Sequence, residues 1–172
     1  MDDHSRPLNE RGRDSAPLIA RWLAEQNLVP DLILCSTAIR TLQTSDLLRN
    51  EWQTPCNSDA SQMSFAQINC AQINCAELYL ATPNAILECL ANRSQSDPQS
   101  DPQSDSLPRK VIVLGHNPGL EIFASMLSGQ IVSMPTAACV VFTLDPQKHA
   151  LWKIDLSAGG ISKKKQVVPK EL

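Results

Sequence analysis

Two residues with the chemistry to bind an anion follow apolar runs of strand length in this sequence. Arg40 follows LILCS (Leu32–Ser36), and His116 follows VIVLG at 111–115. In open parallel sheets, ligands bind beyond the carboxyl ends of the strands, where the chain passes into helices. A guanidinium group and an imidazole N–H brought together there would neutralise the charge of phosphoryl oxygens. The two positions therefore predict a phosphate-binding site.

The residues beside His116 suit the same task. Gly115 is expected to allow close approach of the backbone, and Asn117-Pro118 is expected to begin a helix. The free N–H groups and the positive dipole end of a helix N-terminus favour an anion. Asn117 is therefore a predicted substrate-binding residue, together with Arg40 and His116.

Each of these residues also has a purely structural interpretation. A single arginine near a helix start is most often solvated or salt-bridged, and a single histidine after a strand is often an ordinary loop residue. The joint placement of Arg40 and His116 at two strand ends favours a functional role. His4 and His149 lie in polar segments, and the structural interpretation is preferred for both.

Alternating helices and short apolar strands are predicted to position the site. A first helix is expected over residues 14–26, with Asp14 or Ser15 as N-cap and Pro17 in its first turn. Further helices are expected over residues 39–52, 78–90 and 118–127, with Thr82-Pro83 as a candidate start of the helix at 78–90. Strands are expected over residues 32–36, 111–115, 138–144 and 151–156. This order predicts an α/β fold of three layers, a mostly parallel sheet with helices on both faces. The last two strands are expected to form an antiparallel hairpin around Asp145-Pro146.

Two repeated segments interrupt this pattern. The sequence AQINC occurs twice in succession within a polar stretch, and residues 92–106 repeat a Ser-Asp-Pro-Gln unit with no apolar side chains to bury. The second segment is predicted to be a flexible, disordered loop, and the basic tail at 163–165 is predicted to be solvated. At 172 residues the chain is expected to form a single domain over residues 1–172.

Composition excludes several classes of function. The formal net charge of −3 provides no broad positive field for nucleic acid or an anionic membrane. No apolar run reaches the length of a membrane span, and no signal peptide is recognisable, so a cytoplasmic location is expected. The six cysteines have no zinc-ligand spacing and are predicted to be free thiols. Neither a metal nor a cofactor is expected.

Four blocks in order carry a resemblance to a known family. They are SRPLNERGRDSAPLIARWLAEQ, DLILCSTAIRTLQTSDLL, VIVLGHNPGLE and MPTAACVVFTL. Together they resemble the SixA-type phosphohistidine phosphatases of the histidine phosphatase superfamily. The resemblance implies a phosphoglycerate mutase-like fold and in-line attack of a histidine on a phosphoryl group, followed by hydrolysis of the phosphohistidine intermediate.

The resemblance also implies roles for individual residues. Arg40 matches the arginine of the block R-x-x-Q-T, and His116 matches the second histidine, which holds phosphoryl oxygens. Glu77 lies where related phosphatases often place a proton donor, and it is a candidate general acid with an equally good interpretation as a solvated residue. The identity of the general acid therefore stays open.

One element of the family pattern does not occur in these 172 residues. Family members begin with a strand that ends in Arg-His, whose histidine is the nucleophile, and no Arg-His pair is present. His4 is not expected to replace it, because no apolar strand precedes it. The expectation is that the N-terminal strand is missing, through a start site assigned too far downstream or through loss in a remnant, and that phosphatase turnover of the chain is negligible.

Three functions follow as hypotheses. The first is a phosphatase acting on a phosphohistidine protein or a small phosphomonoester. The second is a non-catalytic phosphate-binding remnant that acts as an interaction module. The third, a phosphoglycerate mutase, is less favoured because the extra residues are low-complexity repeats. Neither a nucleic-acid nor a membrane partner is expected, and the substrate and oligomeric state are left open.

Overall fold

The computed structural model describes residues 2–53, 70–92, 110–145, 147, 154 and 159–172. Within these residues the chain forms four α-helices and five β-strands. In chain order they are α1 (Glu10–Glu25), β1 (Leu32–Ser36), α2 (Ile39–Gln53), β2 (Ala71–Cys75), α3 (Pro83–Asn92), β3 (Val111–Leu114), α4 (Gly119–Ser128), β4 (Cys139–Leu144) and β5 (Ile161–Val167). Single turns of 3-10 helix follow β2 and β5.

The strands form a parallel sheet and a separate antiparallel pair. In the parallel sheet β1 lies between β2 and β3, so that Leu34 is opposite Ile73 on one side and Val113 on the other. In the second sheet β4 pairs antiparallel with β5, with an irregularity between Val141 and Phe142. Because β1 and β3 run in the same direction, the loops after Ser36 and after Leu114 lie at the same edge of the sheet.

Helices cover both faces of β1. Leu32 and Leu34 pack with α3 and α4, whereas Ile33 and Cys35 pack with α1 and α2. All five residues of β1 are buried, as expected for a central strand covered on both sides. Complete burial of an isoleucine or leucine side chain stabilises the fold by about 1.5–3 kcal/mol. The predicted three-layer arrangement, with helices on both faces of a mostly parallel sheet, is confirmed.

The first helix begins earlier than predicted. Its N-cap is Asn9, whose side-chain oxygen accepts a hydrogen bond from the Gly12 backbone N–H at 2.8 Å. The assignment of Asp14 or Ser15 as N-cap was therefore wrong, and Pro17 lies inside the helix. An asparagine cap satisfies a backbone donor that the first helical turn leaves unpaired. The helices predicted over 39–52 and 118–127 begin within a residue of those observed. The helix predicted over 78–90 begins at Pro83, the candidate start, because Leu78 ends a 3-10 turn.

Two strands were missed. The second copy of AQINC forms β2, although its polar composition gave no strand signal, because β1 supplies the backbone partners. The lysines at 163–165 were predicted to lie in a solvated tail, but they belong to β5 and pair with β4 while their side chains stay exposed. The predicted flexible loop at 92–106 and the predicted strand at 151–156 lie almost entirely outside the described residues.

The two sheets are not joined within the described residues. There β3 pairs only with β1, β4 pairs only with β5, and residues 2–9 contain no strand. The apolar side chains of β3 and β4 are half-buried rather than buried. The five cysteines in this part of the chain are free thiols, as predicted, and Cys56 lies outside it. None of the helices seen has the length and apolar character to cross a bilayer.

Candidate functional site

Arg40 and His116 meet at the edge of the parallel sheet, as predicted. Arg40 is the second residue of α2, and His116 lies in the loop between β3 and α4. The Nη2 atom of Arg40 lies 3.1 Å from Nδ1 of His116. The other ring nitrogen of His116, Nε2, lies 2.8 Å from Oγ of Ser36, the last residue of β1. The imidazole is thus held between the end of one strand and the start of a helix.

The surroundings of His116 favour its neutral form. Burial of the imidazole and the nearby guanidinium of Arg40 lower the pKa of His116 to about 4, and the carboxylate of Asp3 opposes this shift. Because arginine has only donors, Nδ1 of His116 accepts the hydrogen bond from Arg40. The proton of the neutral ring is therefore on Nε2, which donates to Ser36.

The guanidinium of Arg40 is hydrogen-bonded to Asp3 of the same chain. The Nη1 atom donates to the backbone oxygen of Asp3 at 2.6 Å, and Nη2 donates to Asp3 Oδ2 at 3.0 Å. The hydroxyl of Tyr79 donates to the same Oδ2 at 3.0 Å, and Arg6 lies 3.2 Å from Oδ1. The hydrogen bond from Tyr79, followed by the arginine charges, lowers the pKa of Asp3. The pocket thus already holds a negatively charged oxygen.

His4, for which the structural interpretation was preferred, lies beside the site. Its Nε2 is 3.0 Å from Thr37 Oγ1, and its backbone oxygen accepts from Ile39 N at 3.1 Å. The Tyr79 ring stands edge-on to both imidazoles, with centroids 4.8 Å from His4 and 5.3 Å from His116. His149 lies outside the described residues.

Asp3, His4 and Tyr79 were missed as site residues because they come from segments without periodic apolar spacing. Only the tertiary fold brings those segments to the strand ends. A sequence signal was available for Ser36, because a polar residue closes an otherwise apolar strand at the edge where the site was predicted.

Asn117 and Glu77 occupy less direct positions. The side-chain amide of Asn117 donates to the backbone oxygen of Met134 at 2.6 Å, so it holds two loops together. Glu77 is exposed in the 3-10 turn after β2, two residues before Tyr79. Its assignment as general acid stays a prediction, as does substrate binding by Asn117.

A close backbone contact fixes the loop that carries His116. At Gly119, the first residue of α4, an added Cβ would overlap the carbonyl oxygen of Ala81 and lie 3.1 Å from its carbonyl carbon. At Gly115 the nearest atoms would be at an ordinary 3.6 Å. The close approach within the protein is thus at Gly119 and not at Gly115. The start of α4 is pressed against the segment that follows Tyr79.

The arrangement is suited to holding a tetrahedral oxyanion. Arg40 provides two donors, Tyr79 provides a hydroxyl, and His116 provides an imidazole beside them. Asp3 stands in for the oxyanion by placing one carboxylate oxygen between Arg40 and Tyr79. Within the ranges the structure describes, no three histidine, cysteine or acidic side chains cluster as metal ligands would.

Sequence comparisons relate this chain to known proteins. The family model described as histidine phosphatase superfamily (branch 1) matches residues 3–73. A chloroplastic protein of Arabidopsis thaliana without an assigned function is 29% identical over 138 residues, which make up 79% of this chain and 55% of that protein. The chain therefore spans about half the length of this curated relative.

Structural comparisons agree with the sequence match. A crystal structure described as phosphohistidine phosphatase SixA of Agrobacterium tumefaciens is 25% identical, with a TM-score of 0.54 over 74% of this chain and 65% of that one. The SixA structure from Nakamurella multipartitia is 20% identical, with a TM-score of 0.69 over 98% of this chain and 88% of its own. A SixA structure with tungstate is 21% identical, with a TM-score of 0.64 over 99% and 88% of the two chains.

Proposed function

We propose that this chain is a phosphatase of the histidine phosphatase superfamily, because the model of that family matches residues 3–73 and the fold resembles that of SixA structures. The proposed substrate is a phosphohistidine protein or a small phosphomonoester, hydrolysed through a phosphohistidine intermediate as the family resemblance implies. Arg40 and His116 bind the phosphoryl group. The observation that carries this proposal is the 3.1 Å approach of the two side chains at the edge of the parallel sheet.

Burial and charge at Arg40 support this role. The Arg40 side chain is 16% exposed, whereas the carboxylate side chain of Asp3 that it holds is 50% exposed. A guanidinium that is largely buried and held by its neighbours binds phosphoryl oxygens with charge-assisted hydrogen bonds, which are about twice as strong as neutral ones. An incoming phosphoryl group takes the place of the more exposed Asp3 carboxylate.

A second candidate function rests on a specific observation. The 172 residues contain no Arg-His pair, which carries the histidine nucleophile in the family pattern. A phosphate-binding protein without turnover, acting as an interaction module, would use the same contacts. Phosphate binding is expected of both the phosphatase and the non-catalytic protein. Only the phosphatase is expected to hydrolyse a phosphorylated substrate.

Binding is tested by titrating the protein with tungstate, the anion in a related SixA structure, and with inorganic phosphate. Saturable binding that Arg40→Ala weakens by about 10-fold or more supports the pocket, because a lost charged hydrogen bond costs about 1.5–3 kcal/mol. Arg21→Ala is the matched control, since Arg21 forms an exposed ion pair with Glu51. Equal anion affinity of Arg40→Ala and Arg21→Ala would refute the role of Arg40 in anion binding.

Turnover is tested with p-nitrophenyl phosphate and with a histidine-phosphorylated protein. Hydrolysis that is lost in His116→Ala supports a phosphatase, and His4→Gln reports whether the second imidazole beside Tyr79 takes part. Binding without hydrolysis of either substrate favours the non-catalytic candidate. Rapid hydrolysis that survives His116→Ala would contradict the assignment of the site.

A further inference from the structure

The hydrogen bonds of His116 leave its pocket-facing nitrogen without a proton. The Nε2–H group donates to Ser36, and Nδ1 accepts from Arg40. When a phosphoryl group takes the place of Asp3 and draws both Nη2 hydrogens of Arg40 to its oxygens, the lone pair on Nδ1 loses its donor and faces an anionic oxygen. A lone pair repels that oxygen, so this nitrogen must gain a proton before it can donate to the anion.

Ser36 determines how that proton is gained. Its side chain is fully buried, and Oγ also lies 3.4 Å from the Ala38 backbone N–H, which donates to it. If Ser36 stays an acceptor, Nε2 keeps its proton and the new proton on Nδ1 makes the ring a cation. The negative charge of the incoming ligand stabilises that cation.

Resting on the proposed function, we propose that Ser36 is a positioning residue that keeps the proton on Nε2 of His116. Binding of a phosphoryl dianion at Arg40 therefore brings a proton onto Nδ1. The bound state is an imidazolium that donates to the anion from Nδ1 and to Ser36 from Nε2. Anion affinity then rises as the pH falls.

The other charged groups around His116 act in known directions. The guanidinium of Arg40, at the start of α2, disfavours the imidazolium, and the carboxylate of Asp3 favours it. His4, in the N-terminal segment, disfavours it, and Tyr79 presents a ring edge from the turn after β2. The dianionic ligand puts two negative charges where the Asp3 carboxylate put one. The protonation equilibrium of His116 therefore shifts toward the imidazolium.

The test uses sulfate, which stays a dianion across about pH 5 to pH 8, the range in which histidines commonly titrate. Calorimetry in two buffers of different ionisation enthalpy counts the protons taken up, and nitrogen NMR reports the protonation of each nitrogen of His116. The expected result is uptake of about one proton per sulfate, with affinity rising up to about 10-fold per pH unit as the pH falls. The uptake is expected to persist in Asp3→Asn, which removes the carboxylate that the ligand displaces. His4→Gln removes the other imidazole beside Tyr79 as a site of proton uptake.

Variants at Ser36 complete the test. Ser36→Ala is expected to lower sulfate affinity by about 10-fold and to flatten its pH dependence, because Nε2–H loses its buried acceptor. Ser36→Thr, which keeps the hydroxyl, should restore both. The matched control is Ser45→Ala, because Ser45 is equally buried but bonds to Gln72 at 2.7 Å.

Two results would overturn the inference in different ways. Sulfate binding with a flat pH profile and an unprotonated Nδ1 would refute the proton uptake and leave the proposed phosphate pocket intact. Absence of sulfate binding at every pH would refute both. The measurements on the unmodified protein decide the matter even if Ser36→Ala does not fold.

Discussion

Replacing Gly119 with alanine tests whether the contact between α4 and the segment after Tyr79 positions the site. The new Cβ would overlap the carbonyl oxygen of Ala81, and both groups are backbone, so no flexible side chain can move aside. Relief requires the two segments to separate by about 1 Å. Alanine in a helix is favoured over glycine by up to about 1 kcal/mol, but inserting a methyl group into a packed contact costs about 1–3 kcal/mol. The contact therefore outweighs the helix preference.

Urea unfolding measures the predicted loss of stability. We expect the midpoint of Gly119→Ala to fall by about 0.5–1.5 M with an unchanged slope, and sulfate affinity to fall as well because α4 carries His116 away from Arg40. Gly115→Ala is the matched control, since its Cβ would meet only ordinary contacts at 3.6 Å. A stability of Gly119→Ala equal to that of the unmodified protein, or equal losses in the two variants, would refute the reasoning.

Three further outcomes are expected. Trp52→Phe should lower the free energy of unfolding by about 1–3 kcal/mol, seen in urea unfolding, because a buried 2.9 Å hydrogen bond to the Ala20 oxygen is lost and the smaller ring leaves space in the core. Tyr79→Phe should raise the pKa of Asp3 towards its ordinary value, followed by carbon NMR, because the Tyr79 hydroxyl is the largest cause of its lowering. Without ligand, stability should decline as the pH falls from about 6.5 to about 4, because the unfolded chain protonates His116 first, and His116→Gln should lessen this decline in urea unfolding at each pH.

Sequence reasoning found the two central residues of the site because strand ends are visible in a sequence. Arg40 and His116 each follow a continuous apolar run, and the rule that parallel strands place their carboxyl ends at one edge is enough to bring them together. The same reasoning could not find Asp3 or Tyr79. Their positions depend on how an N-terminal turn and a 3-10 turn fold back over the sheet, and neither segment has a periodic pattern.

The fold was predictable where burial leaves a strong apolar signal. The buried strand β1 and the helix that follows it were predicted with bounds within one residue of those observed. Edge strands such as β2 and β5 carry polar or charged side chains, because only one or neither of their faces is covered, and their backbone pairing leaves no trace in composition. The cap of α1 was misplaced because Asn9, Asp14 and Ser15 are all good capping residues.

The sequence AQINC occurs at residues 66–70 and again at 71–75, where it forms β2. Residues 66–70 have the same five side chains as β2, so either copy would offer β1 identical partners, and strand chemistry alone does not choose between them. The two copies differ in their distance along the chain from Tyr79. Tyr79 comes four residues after the copy that pairs. If the other copy paired instead, five more residues would separate the sheet from Tyr79. The copy that pairs with β1 therefore sets the number of residues between the sheet and Tyr79 at the site.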